Sequence, residues 1–127
     1  MRVNRLLLTW VAVLLMSACK VETVRQAAGE YVYNSGDVTA TLEIEESSVF
    51  KFKVFKEKIE VGTSSGTWYL IDNMIALRDL ALIVDCHDVI RIDEPSADAF
   101  PSIDSSILGT FIDFCPDGGL LFRKVRS

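Results

Sequence analysis

Histidine is nearly absent from this chain, one residue in 127, and cysteine and proline number only three each. A single histidine leaves no His-rich metal centre. Three cysteines are too few for a densely cross-linked secreted scaffold. Positive charge is also short, with 13 Lys and Arg against 18 Asp and Glu, a net charge of −5. That balance excludes the broad cationic face that displaces counterions from nucleic acid, so no nucleic-acid partner is expected. No apolar run reaches the roughly 18 residues of a membrane-spanning helix. The longest, Leu6 to Met16, covers about 16 Å as a helix. A chain of 127 residues makes one domain rather than two and is too short for a (β/α)₈ barrel.

What is present is concentrated first at the N-terminus. Arg2 and Arg5 form a basic head, Leu6 to Met16 an apolar stretch, and Ser17-Ala18 a pair of small residues. That order is the layout of a secretory signal. Without residues 1–18, which hold two arginines and no acid, the net charge moves from −5 to −7. Leu15-Met16-Ser17-Ala18-Cys19 resembles the lipobox of bacterial lipoproteins, in which the cysteine becomes the first mature residue and is acylated. Small side chains admit the peptidase, and the thiol accepts the lipid. The resemblance implies a signal peptide over 1–18, lipid on Cys19, and a tether over 19–28. In that family an Asp directly after the cysteine tends to retain the protein at the inner membrane. Here Lys20 stands there. The implied location is therefore the cell envelope, as an outer-membrane lipoprotein facing the periplasm, with the membrane as a partner through the N-terminal lipid. With Cys19 committed to lipid, Cys86 and Cys115 remain. In an oxidising compartment they most simply form one disulfide. Closing that loop stabilises by about 3.5 kcal/mol on the chain-entropy account.

Residues 29–127 read as a single all-β domain. Gly29 opens a strand through Tyr33, and Asn34 to Asp37 is a turn cluster. From Val38 to Glu45, Val38, Ala40, Leu42 and Ile44 alternate with Thr39, Thr41, Glu43 and Glu45. Period two with β-branched residues predicts a strand with one wet face. Phe50, Phe52 and Val54 point inward on the next strand, with Lys51 and Lys53 outward. Further strands are expected at Ile59–Val61, Thr67–Ile71, Met74–Leu77, Leu80–Val84, Val89–Ile92, Phe111–Cys115 and Leu120–Val125. Loops are expected at 62–66 and 93–106. The Pro-, Ser- and Asp-rich segment 93–106 is long for a compact domain. About eight short strands predict a small antiparallel meander barrel or sandwich. The succession from Gly29 to Leu77, with Gly-x-Tyr at 29–31, Phe-x-Phe at 50–52 and Gly66-Thr67-Trp68, resembles small lipocalin-like β-barrel lipoproteins. It implies a barrel and, as one function, an apolar ligand carried inside it.

Several patterns carry chemistry. Gly62-Thr63-Ser64-Ser65-Gly66 fits G-x-S-x-G, with His87 and Asp72, Asp79 or Asp85 further on. The strand-to-helix elbow that motif needs is missing, because Thr67 to Ile71 reads as strand. No enzyme activity is expected. Asp85-Cys86-His87-Asp88 contains metal-ligand types, but one histidine beside a paired cysteine reads as a polar turn, so no metal and no cofactor are expected. Lys51, Lys53, Lys56 and Lys58 keep an apolar strand soluble. Phe55 shares the lysine face without an evident reason. The segment 93–106 groups Asp93, Glu94, Asp98 and Asp104 around Phe100, acids about one aromatic anchor, which suits a basic periplasmic protein partner. The expected function is a lipid-anchored, periplasm-facing binding module of inhibitor or immunity type. The alternatives are a carrier of a small apolar ligand and a structural envelope lipoprotein.

Overall fold

A computed structural model describes residues 21, 23–85, 88–115 and 120–127, with 82–96 described by backbone alone. The expected signal peptide, Cys19, Cys86 and His87 lie outside these residues. A one-turn helix, α1 (Val24–Ala27), precedes nine strands: β1 (Gly29–Ser35), β2 (Val38–Ile44), β3 (Val49–Lys56), β4 (Ile59–Ile71), β5 (Met74–Asp85), β6 (Asp88–Ala99), β7 (Ser102–Ser106), β8 (Gly109–Asp113) and β9 (Leu121–Arg126). All pairings are antiparallel. Neighbours run β4-β3-β2-β1-β9-β8-β7-β5, and β5 returns to β4, closing an eight-stranded barrel. The remaining strand, β6, is added along β5. Of the barrel and the sandwich, the chain forms the barrel.

The alternation on β2 and β3 sets the inner wall. Ala40, Leu42, Ile44, Phe50, Phe52 and Val54 are buried, while Glu43, Lys51 and Lys53 are exposed. Tyr31, Trp68, Ile75, Leu77, Ile103, Ile112 and Phe122 complete the core from the other strands. Closure rests on the length of β4. Its residues up to Thr67 pair with β3, and those from Thr67 onward pair with β5. One long strand thus serves two neighbours at different heights, the stagger that a closed sheet requires.

Residues 62–66 are therefore not a loop. Gly62 and Ser64 are buried inside β4. A Cβ on Gly66 would overlap the carbonyl oxygen of Arg78 and press on the Phe50 ring. Small residues here let two backbones approach rather than turn. Likewise 74–77 and 80–84 form one strand, β5, broken only by a bulge at Asp79, whose φ is 61°.

The loop expected at 93–106 is corrected as well. Its residues belong to β6 and β7, joined through Phe100 and Pro101. Leu77 pairs with Ala99, the Ile75 N–H donates to the Pro101 carbonyl, and Met74 pairs with Ser102. These partners continue a single register, so β6 and β7 follow β5 as one interrupted strand. The largest irregularity is at 93–96, beside the smaller shift at the Asp79 bulge opposite Asp98. Leu80 faces Ala97 and Leu82 faces Ile92, so four residues on β6 oppose Ala81 alone. The polar, Pro-containing composition marks that bulge.

The segment expected as a tether packs onto the barrel from Val21 onward. Val21, Ala27 and Ala28 are buried. Thr23 and Gln26 form a capping box at the start of α1, which satisfies its free amides. The buried Tyr31 hydroxyl donates to the Ala27 carbonyl at 2.6 Å. Burial pushes its ionisation far above the ordinary tyrosine range. No helix among the described residues is long and apolar enough to cross a membrane.

Candidate functional site

Four aromatic rings cluster on the inner wall of the barrel, Phe52 and Phe122 buried and Tyr33 and Phe114 half-buried. Phe122 lies 5.5 Å from Phe52, 5.3 Å from Phe114 and 5.6 Å from Tyr33, centroid to centroid, and Phe52 lies 5.9 Å from Phe114. These edge-on and tilted contacts are favourable aromatic geometry. An apolar ligand at this level would have to displace them.

Apolar surface is instead found on the outer wall. On β4 the even positions face inward, which turns Tyr69 and Ile71 out, both exposed. Ile71 pairs with Met74, Met74 with Ser102, Ser102 with Asp113, and Asp113 with Leu121. This row crosses five strands and spans about 19 Å at the usual strand spacing. Ile71 and Leu121 are exposed at its two ends. Phe100, 50% exposed, sits two residues before Ser102 on the same row's edge. Asp72, Asp104 and Asp113 lie among these residues, with Asp72 and Asp104 exposed. The result is a strip on which exposed apolar side chains are interleaved with polar and acidic ones, Ser102 and Asp113 lying within the row.

Sequence reasoning marked five residues here, and the structure separates them. Phe100 and Asp104 lie on the strip. Asp93 and Glu94 fall in the β6 bulge, described by backbone alone. Asp98 is engaged within the fold: its Oδ1 accepts from the Asp79 N–H at 3.1 Å, and its Oδ2 lies 4.0 Å from Arg78 Nε. The carboxylate thereby holds the left-handed bulge of β5 in place. Tyr69, Ile71 and Leu121 were missed. Their signal was an apolar side chain at the outward parity of a strand.

The remaining motifs resolve into structure. Ser64 is buried, and its Oγ accepts from the Ala81 N–H at 2.9 Å. Extending the β4–β5 register beyond Thr67 and Arg78 brings 64 opposite 81. The hydroxyl therefore bridges the two strands where their backbones part. Among the described residues no three metal-ligating side chains gather. Cys115 is buried, and its expected partner Cys86 lies outside the described residues. Lys51 faces out and pairs with Glu45 at 3.5 Å. Phe55 is half-buried on that face, in a groove also lined by Thr41, Lys53 and Arg25. Strand alternation puts it on the face of Lys51 and Lys53.

Compared with protein-family models, curated proteins and solved structures, the chain matches none of them.

Proposed function

We propose that this chain is a lipid-anchored binding module of the cell envelope, and that its barrel holds a basic periplasmic protein in the manner of an inhibitor or immunity protein. The observation that carries this reading is the strip of Tyr69, Ile71, Phe100 and Leu121, exposed on the outer wall and edged by Asp72 and Asp104. Aromatic and aliphatic anchors within a charged rim are the usual makeup of a protein-binding surface. The acidic balance of the whole chain steers a cationic partner toward it. The ring packing within the barrel supports an outer site over an internal ligand. The bond from Ala81 to Ser64 supports a non-enzymatic reading, since that hydroxyl acts as a strand-bridging acceptor. The N-terminal sequence supports the anchor on Cys19.

Affinity capture with the full chain from envelope extracts tests the proposal. A basic protein should be retained by the parent chain and lost with Phe100→Ala combined with Asp104→Lys. Retention undiminished by that pair overturns the strip as the binding face. A large apolar metabolite co-purifying with the chain would favour the carrier reading instead.

A further inference from the structure

We propose that the β7–β8 hairpin is a second membrane contact, in which Ile107 and Leu108 enter the boundary between headgroups and acyl chains. The proposal rests on the anchor reading for the identity of the surface, and on the structure for the hairpin itself.

Ile107 is 94% and Leu108 74% exposed, the highest values among the large apolar residues described. They stand alone at the tip of a two-residue turn between Ser106 and Gly109. The tip is well held. The Leu108 N–H donates to Ser106 Oγ at 3.1 Å, and the hydroxyls of Ser105 and Thr110 pair at 3.3 Å. Gly109, at φ 127°, takes the backbone conformation that the turn demands. No charge occurs from Ser105 through Thr110. A rigid, uncharged finger ending in two aliphatic side chains is unfavourable in water, and entering a bilayer interface leaves no ion to desolvate.

Its position supplies the occupant. β1 begins, β9 ends, and the β7–β8 turn lies at one end of the barrel, because Glu30 pairs with Arg126 and Phe111 with Arg123 on adjoining strands. α1 and Val21 cover that same end, and Val24 of α1 is exposed there. Cys19 precedes Val21 by two residues, a reach of at most about 7 Å in extended chain. Lipid on Cys19 would therefore hold this end, with its hairpin, against the bilayer. The strip of Phe100 and Leu121 lies on the side wall, where a soluble partner keeps access.

Tryptophan placed at the tip reads the contact directly. The full chain with Leu108→Trp, and separately with Ile107→Trp, is reconstituted into phosphatidylethanolamine–phosphatidylglycerol vesicles with brominated acyl chains. Glu60→Trp, exposed at the opposite barrel end, is the comparison, and the parent's own fluorescence is subtracted. The tip tryptophans should be quenched at least threefold more than that at position 60. Intact mass on the same samples reports acylation of Cys19. Acylated protein with an unquenched tip overturns the hairpin contact and leaves the anchor standing. A quenched tip without acyl mass upholds the contact and removes the anchor. Equal quenching at both ends, or a blue-shifted tip unaffected by bromine, overturns the proposal, in the last case in favour of a protein on the tip.

Discussion

Lys124 Nζ donates to the main-chain carbonyl of Gln26 at 2.8 Å, across 98 positions of sequence. The same ammonium lies 5.9 Å from the centroid of the Tyr31 ring, and burial lowers its pKa. With the Tyr31 hydroxyl on the Ala27 carbonyl, two side chains from opposite strands of the β1–β9 seam hold α1 on the barrel.

Replacing Tyr31 by Phe should remove about 1 kcal/mol through the lost buried hydrogen bond, read as a lower urea midpoint at unchanged slope. It should also alter the alkaline limb. Tyr31 stays protonated in the folded chain well above the ordinary tyrosine pKa of 10.0. Stability should therefore fall as pH rises above about 10, where only the unfolded chain has released the proton. Tyr31→Phe should flatten that fall. Lys124 acts with opposite sign: its lowered pKa makes stability rise with pH up to the ordinary lysine value.

Ser64→Ala leaves the Ala81 N–H without its acceptor. The expected outcome is a loss of about 1 kcal/mol in stability with partner capture unchanged. Loss of capture in a folded variant would reopen a direct role for this serine. Gly66→Ala should be more severe, above about 2 kcal/mol, because the added Cβ meets the backbone of Arg78.

Asp98→Ala should destabilise by about 1 kcal/mol by freeing the Asp79 N–H in its bulge. The exposed ion pair with Arg78 adds little. Asp98→Asn, which keeps an acceptor oxygen, should recover most of the loss. Phe100→Ala and Asp104→Lys should leave the urea midpoint within about 0.5 kcal/mol of the parent. That contrast separates fold residues from surface residues within one sequence segment.

Membrane-fraction protein should carry acyl mass on Cys19 and start there. Non-reducing peptide mapping should recover Cys86 linked to Cys115. Free thiols at both positions would count against the oxidising compartment and return Asp85, His87 and Asp88 to consideration as ligands.

Much of the barrel was legible because its inner wall is written at period two. Val38 through Val54 states both the strands and the inward face, and the structure follows it residue for residue. The irregular half was harder to read. Gly62 to Gly66 has the composition of a loop, yet it pairs with β3 as strand, and Gly66 admits the backbone of Arg78, a tertiary demand that local pattern does not encode. Asp93 to Ser106 has turn chemistry throughout, yet most of it lies in β6 and β7, since pairing with β5 and β8 overrides propensity. Of the candidate site, Phe100 and Asp104 were legible as an aromatic beside acids. Tyr69, Ile71 and Leu121 converge only once β4, β5, β7, β8 and β9 are set side by side.

The β1–β9 seam also has a consequence for how the chain reaches its fold. Val32 is held by Thr41 on one side and by Arg123 on the other. A chain emerging N-terminus first can build the β1–β5 meander early, but it has no way to shut the cylinder until β9 arrives. Contacts of such long sequence separation make for slow folding. The ring therefore stays open until nearly all of the chain is available to it.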